Sequence, residues 1–277
     1  MADGRAQSLA IIYNERSASY DDSFHPRQAA DFIDGGKLKP GDSVLDLACG
    51  TGLVSLLAKQ CVGGNGRVLG VDVSQDMLAE ARRKAIAQAM DVSFICGDVT
   101  DLKRKDLLPC EEPGFDLITC AAAFILLRDP RAALAHWATF FAPGGRIIVD
   151  VPTERTMTAG LILEDLARQE GMPEGMLSNR LWVKSEDSLR QLIADSGLTA
   201  ECVFTTDNYD TQATTCDEIP HLLEKVLKYT PFQDVKDETM KQRVKSHFVE
   251  HVRRLAGPKG KVSEEVSFYI GIARGGP

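Results

Sequence analysis

Between Ser43 and Val151, short apolar runs alternate with longer stretches of helical period. Ser43–Leu47, Arg67–Val73, Val92–Cys96, Phe115–Cys120 and Gly145–Val151 each predict a strand. Between them the spacing changes to that of helices. Leu53, Leu56, Leu57 and Cys61 share one face, as do Met77, Ala81, Ala85 and Ala89. A third helix is expected to start with Asp129 as N-cap and Pro130 in its first turn. Its buried face would carry Leu134, Trp137 and Phe141, and Pro143-Gly144-Gly145 would stop it. Such alternation predicts an α/β fold, a parallel sheet covered by helices on both faces.

Beyond Val151 the rhythm breaks. Thr153–Gln169 predicts a helix, followed by the breaker-rich run Gly171–Met176. Ser185 is placed to cap a helix carrying Leu189, Leu192 and Ile193, which Gly197 would close. Ala200–Thr206 predicts a sixth strand. Two helices are expected around Asp217–Tyr229 and Val235–Leu255, the second with Met240, Val244, Phe248 and Leu255 on a helical period. Glu265–Ala273 alternates like a final, seventh strand.

The bulk composition narrows the partners. A chain of 277 residues buries roughly three-quarters of its unfolded surface and needs no covalent staples. Its net charge of −8 argues against nucleic acid or an anionic membrane as the main partner, although a local basic patch would escape that argument. The seven cysteines lie no closer together than Cys110 and Cys120, with no CxxC pair. Reduced thiols are expected, not a disulfide framework or a zinc knuckle. No signal-peptide core stands at the N-terminus and no run of eighteen apolar residues occurs. The expectation is a soluble, cytoplasmic chain that neither enters a membrane nor binds nucleic acid; no oligomeric state can be read.

The candidate chemistry sits in Val44–Ser55, VLDLACGTGLVS. Gly50-Thr51-Gly52 followed by Ser55 forms a turn into a helix, one glycine short of the dinucleotide fingerprint. Such a turn lets a ligand approach the backbone, and the helix N-terminus offers N–H groups. A pyrophosphate would suit it, but Asp46 lies beside the turn and would repel an anion while welcoming an ammonium. Asp72 closes the second strand in VLGVDVS, where an acid accepts from both ribose hydroxyls. Asp98, in FICGDVT, is placed to accept from an adenine amino group, with the Val99 N–H beside it. Taken singly, each aspartate could be a helix cap or a turn residue. Taken together, a cationic amino-acid head, a ribose and an adenine without phosphate describe S-adenosylmethionine.

VLDLACGTG, VLGVDVSQDML, CGDVTDL, FDLITCAAAFILLRDP and FAPGGRIIVDVP, in that order, resemble the class I S-adenosylmethionine-dependent methyltransferases, and within them the ubiquinone/menaquinone methyltransferase-like branch. The resemblance covers Tyr13 to Val151 and extends to Ser185–Thr206; Thr211–Val262 carries none. It implies a Rossmann-like seven-stranded, mostly parallel sheet with helical cap insertions. It implies a single domain over residues 1–277, with an N-terminal lid over 1–40 and a cofactor-binding core over 41–152. Cap insertions would occupy 153–184 and 211–262, and 185–206 and 263–274 would complete the sheet. The resemblance further implies that Asp46, Gly50 and Gly52 hold the methionine end of the cofactor and Asp72 the ribose, with Ala48 also among the cofactor-binding residues. Val73 and Met77 would flank the adenine, Asp98 and Val99 would meet its edge, and Ala121 would pass near the sulfonium. Tyr13 and Tyr20 match the segment that folds over the cofactor in this branch, or else pack a short N-terminal helix. Relatives often carry histidine after the fourth strand, where this chain has Phe124-Ile125-Leu126-Leu127.

Methyl transfer from a sulfonium needs alignment more than a catalytic motif. His25 is the candidate base for a protonated acceptor; its other reading is a helix-entry residue ahead of Pro26. Glu154 and Arg155 could touch substrate or form a solvated first helical turn. His247, Glu250 and His251 spell H-x-x-E-H, but without a third ligand no metal is expected. The substrate expected is a small hydrophobic or aromatic molecule, from apolar residues such as Leu161, Met172, Met176, Trp182, Leu223 and Phe248, which could equally serve packing. Two rivals stand beside the methyltransferase: a repurposed relative that binds the cofactor without transferring methyl, and a nicotinamide-dependent oxidoreductase, which Asp46 and the missing third glycine oppose.

Overall fold

The computed structural model describes residues 4–108, 113–172, 180–228, 232 and 235–276. The chain divides into two compact units: Met1–Val151 with Leu189–Phe204 and Ile270–Pro277, and Pro152–Ser188 with Thr205–Tyr269.

The first unit is built on a seven-stranded sheet. Its strands are β1 (Ser43–Leu47), β2 (Arg67–Asp72), β3 (Ser93–Cys96), β4 (Phe115–Cys120), β5 (Phe141–Pro152), β6 (Leu198–Thr205) and, last in the chain, β9 (Phe268–Gly275), in the order β3-β2-β1-β4-β5-β9-β6. β1 pairs in parallel with β2 and β4, β2 with β3, and β4 with β5. This is the α/β, Rossmann-like arrangement that the alternating runs predict. Its helices are α1 (Gly4–Arg16), α2 (His25–Gly36), α3 (Leu53–Val62), α4 (Gln75–Ala87), α5 (Arg104–Leu107), α6 (Pro130–Ala138) and α8 (Glu186–Asp195). Phe32 and Ala29 of α2 and Val54, Ala58 and Val62 of α3 pack with Val44, Val68, Leu117, Ile148 and Ile270 of the strands. A fully buried side chain of this size contributes about 1.5–3 kcal/mol, so this layer fixes which face each helix presents.

Two sequence boundaries shift for physical reasons. Asp129 does cap α6, accepting from the Ala132 N–H at 2.9 Å, but the helix ends at Ala138 and β5 already begins at Phe141. The glycines expected to stop a helix lie inside the strand: a Cβ on Gly145 would meet the Phe115 carbonyl oxygen at 2.6 Å. Gly145 allows the close backbone approach where the β4–β5 register shifts between Phe115 and Leu117. Phe140, not Phe141, is the buried ring.

The second unit contains α7 (Thr158–Gln169), α9 (Ile219–Leu227), α10 (Glu238–Ala256) and a two-stranded antiparallel ribbon, β7 (Asp210–Thr215) with β8 (Lys261–Val266). Its core joins Leu163 and Ala167 of α7, Leu223 of α9 and Val244, Phe248 and Val252 of α10. The helix expected from Thr153 starts five residues later. The Thr153 hydroxyl pairs with the Ser267 hydroxyl at 2.8 Å, Thr156 donates to the Ser267 carbonyl at 2.8 Å, and Met157 turns left-handed at φ 58°. Leu255 is 55% exposed; Val252 and Ala256 continue the face that Val244 and Phe248 begin. The expected final strand divides at Ser267 into β8 and β9, so the 211–262 stretch is not purely helical. Met176, Tyr229 and Cys110 lie outside the described residues. Among the described residues no helix is long and apolar enough to cross a membrane, and no group of three metal-ligating side chains occurs, His247 and His251 included.

Candidate functional site

β1 has β2 on one side and β4 on the other, so chain direction in the sheet order reverses there and opens a crevice beyond the strand ends. A cavity of the first unit is lined by the segments that leave β1, β2, β3 and β4, together with α1. Of the residues singled out in the sequence, Ala48, Gly50, Asp72, Val73, Met77, Asp98, Val99 and Ala121 line it, as do Tyr13 and Tyr20. Asp46 and Gly52 are not among its lining residues.

Asp72 is held by backbone. Its Oδ2 accepts from the Gly50 N–H at 2.8 Å and its Oδ1 from the Ser74 N–H at 2.8 Å. Burial pushes its pKa up, against those hydrogen bonds. Ser74 then caps α4, its hydroxyl accepting from the Met77 N–H at 3.1 Å, which places Met77 on the cavity wall. Asp98 accepts from both the N–H and the hydroxyl of Thr100 at 2.9 and 2.7 Å.

Asp46 lies beneath the turn, 1% exposed. Its Oδ2 accepts from the Ser55 hydroxyl at 2.6 Å and its Oδ1 from the Thr119 hydroxyl at 2.8 Å. It therefore joins the start of α3 to β4 and acts on the turn from below, where direct contact with a ligand head was expected. Burial raises its carboxyl to about 6. Gly52 likewise supports the turn: at φ 79° a Cβ would meet the Ala81 Cβ at 3.0 Å. Gly50, at φ 53°, has nothing nearer such a position than the Met77 sulfur at 4.0 Å, which leaves its cavity side open.

Two alanines at the cavity adopt the left-handed region, Ala48 at φ 53° after β1 and Ala122 at φ 56° after β4. Each such residue costs on the order of 1–2 kcal/mol, and such strain gathers at ligand sites. Ala122 is held by a residue the sequence reading missed. Asp150, near the end of β5, accepts the Ala122 N–H on Oδ1 at 2.9 Å and the Gln28 side-chain amide of α2 on Oδ2. It is 1% exposed, and burial lifts it to about 7. The available signal was its place near the end of β5, as Asp46, Asp72 and Asp98 stand at or near the ends of β1, β2 and β3. Leu126, Leu127 and Arg128 also line the cavity, so the apolar segment after β4 reaches it. The indole of Trp137 donates to the Val99 carbonyl at 2.8 Å and fixes the wall from behind.

The N-terminal segment is tied to this cavity. Tyr13 and Tyr20 meet edge-on with centroids 6.4 Å apart, and the Arg16 guanidinium lies 5.1 and 5.4 Å from the two rings. Asp21 accepts from the Thr51 hydroxyl of the glycine turn at 2.6 Å and pairs with Lys84 of α4 at 2.6 Å. Asn14 accepts from the Ser74 hydroxyl at 2.5 Å. His25 is buried, stacked on Tyr20 at 3.9 Å and on Phe24 at 4.2 Å, with Nδ1 against the Ser23 hydroxyl. It is not among the cavity's lining residues. Burial, then Arg16, lower its pKa to about 3. That is not the setting of a general base; the ring backs Tyr20. Glu154 and Arg155, in the second unit, are exposed and form no helical turn: Glu154 accepts from the Tyr269 hydroxyl at 2.6 Å and Arg155 pairs with Glu265 at 3.3 Å.

Asp46, Asp72 and Asp150 carry raised pKa values and, among the described residues, no ion pair. Where ionised, such a set favours a cationic ligand over an anionic one. Fold and site thus define a nucleotide-type α/β domain suited to a positively charged nucleoside. Residues 44–145 match a family described as a methyltransferase domain. The demethylmenaquinone methyltransferase of Thermus thermophilus is 39% identical over 106 residues, 38% of this chain and 45% of that protein. The aklanonic acid methyltransferase of a Streptomyces species is 30% identical over 161 residues, 55% of this chain and 68% of that protein. Among solved structures, the YcgJ protein of Bacillus subtilis aligns with a TM-score of 0.57 at 15% identity, covering 91% of this chain and 99% of that one, a likeness of fold.

 The chain belongs to the class I S-adenosylmethionine-dependent methyltransferases, in the ubiquinone/menaquinone-like branch. Its match spans less than half the length of the Thermus relative.

Proposed function

We propose that the chain transfers a methyl group from S-adenosylmethionine to a small, hydrophobic, quinone-like or polyketide-like molecule. The observation that carries this reading is the cavity itself. It gathers Asp72, Asp98, Val99 and Met77 on one wall, the open side of Gly50 at the turn, and Tyr13 and Tyr20 from the N-terminal segment. The names of the relatives support the acceptor class, since one acts on a demethylmenaquinone and another on aklanonic acid.

The bound cofactor supplies an electrophilic methyl on a sulfonium, so the protein's work is placement and exclusion of water. Asp72 offers a carboxylate to the ribose while its backbone bonds keep that carboxylate still. Asp98 and the Val99 N–H meet the adenine edge, with Val73 and Met77 against its faces. Asp72 on the wall and Asp46 beneath the turn bring negative charge to the site, which favours a cationic ligand over a neutral one. Tyr13 and Tyr20, held by Arg16 and His25, cover the cofactor. Among the described residues the cavity lining holds no histidine, and its acids Asp72 and Asp98 are assigned to ribose and adenine, so an acceptor that is ionised before it binds suits the site.

The experiment is turnover of S-adenosylmethionine to S-adenosylhomocysteine with a panel of hydroxynaphthoquinones and hydroxyanthraquinones, with cofactor binding measured by calorimetry. Methylated product from any of them supports the reading. Tight cofactor binding with no turnover across the panel would replace it with the repurposed relative, and no binding would remove both.

A further inference from the structure

The second unit holds a cavity of about 460 Å³, within the roughly 300–1,000 Å³ typical of small-molecule sites. Leu161, Ile162 and Leu166, on one face of α7, and Val183 make it apolar. Into this wall the chain sets Arg180, 2% exposed. Its Nη1 donates to the Thr156 carbonyl at 2.6 Å and its Nη2 to the Thr153 carbonyl. A guanidinium has five N–H donors, so these bonds orient the group and leave donors over.

The cation is undercompensated. Among the described residues no carboxylate forms an ion pair with Arg180. Glu264, Glu154 and Glu164 favour its charge from farther off, yet burial outweighs them and lowers its pKa to about 10. Glu154 and Asp165, which also line the cavity, and Glu264 are hydrogen-bonded by other groups. Glu154 accepts from the Tyr269 hydroxyl, Asp165 accepts from Arg168 and Gln169, and Glu264 accepts from the Thr158 hydroxyl at 2.7 Å. Lys184, exposed and without an ion pair among the described residues, adds a second positive charge to the lining.

We infer that this cavity binds an organic carboxylate with an apolar body, its carboxylate on Arg180 and Lys184 and its body against α7. A planar guanidinium matches a carboxylate in a paired geometry, and a buried cation gains most from a partner that arrives with its own apolar cover. The inference concerns the second unit alone and stands apart from the methyl-transfer reading.

Calorimetry on the full chain with 2-naphthoate, 2-naphthylmethanol and acetate tests it. The naphthoate is expected to bind at least tenfold more tightly than either the neutral alcohol or acetate. Arg180→Met should bring naphthoate down to the affinity of the alcohol. Leu161→Trp, which fills the cavity and leaves Arg180 in place, should abolish binding, and it decides the matter if Arg180→Met fails to fold. Equal binding of acid and alcohol, no naphthoate binding at millimolar concentration, or unchanged binding in Leu161→Trp would each overturn the inference.

Discussion

The Gly50 backbone N–H donates to Oδ2 of Asp72 at 2.8 Å, tying the turn after β1 to the end of β2. One carboxylate thus shapes the glycine turn and also faces the cavity. Asp72→Ala removes both roles, and S-adenosylmethionine affinity measured by calorimetry is expected to fall at least a hundredfold. Asp72→Asn keeps one acceptor and should lose about tenfold, in line with roughly 1.5–3 kcal/mol for a hydrogen bond to a charged group. Unchanged affinity in Asp72→Ala would remove the adenosine assignment.

The buried acids predict an unusual pH dependence. Asp46 and Asp150 are raised from 3.8 to about 6 and about 7. The folded chain therefore binds more protons than the unfolded one between about pH 4 and 7, so their contribution to stability is fully present below pH 4 and is lost as pH rises through 6 and 7. The loss is on the order of 3 kcal/mol for each group. Asp46→Asn and Asp150→Asn should raise the Tm of the ligand-free chain at pH 8 and flatten its decline from pH 5. A Tm that falls in both variants at pH 8 would show that the charges are compensated.

The sequence showed the sheet more clearly than the second unit. Strands buried on both faces announce themselves as apolar runs, and β1 and β4 fall where those runs do. β7 and β8 are exposed along much of their length and carry no such run, so their ribbon was not foreseen. The cavity followed a similar division. Acids at strand ends beside a glycine turn are visible in the chain, and ten of the twelve cofactor candidates line the cavity. Whether an acid faces the cavity or lies beneath it depends on which hydroxyls fold against it. Ser55 and Thr119 decide that for Asp46, and Gln28 and Ala122 decide it for Asp150.

Asp21 links the N-terminal segment to the glycine turn through Thr51 and to α4 through Lys84. The pair is partly exposed, so its loss should cost stability only about 1 kcal/mol or less. Its effect should fall on the cofactor's residence time. Asp21→Ala is expected to speed S-adenosylmethionine dissociation several-fold in stopped-flow measurements, with little change in Tm. An unaltered off-rate would mean that the segment stays closed without this link.

His25 separates a chemical role from a positioning one. Its pKa of about 3 leaves the ring neutral across the physiological range and a poor proton acceptor. Its stack on Tyr20, at 3.9 Å, gives it a mechanical role. Phenylalanine preserves a flat ring and removes both nitrogens. If His25 only backs Tyr20, His25→Phe should keep kcat within a few-fold and leave the pH profile of methyl transfer unmoved. His25→Ala, which removes the stack, should raise the KM for S-adenosylmethionine several-fold. A collapse of kcat in His25→Phe, with cofactor affinity intact, would instead restore the ring nitrogen to the chemistry. The two variants differ in one property, the presence of a ring behind Tyr20, so the split between kcat and KM decides between the roles.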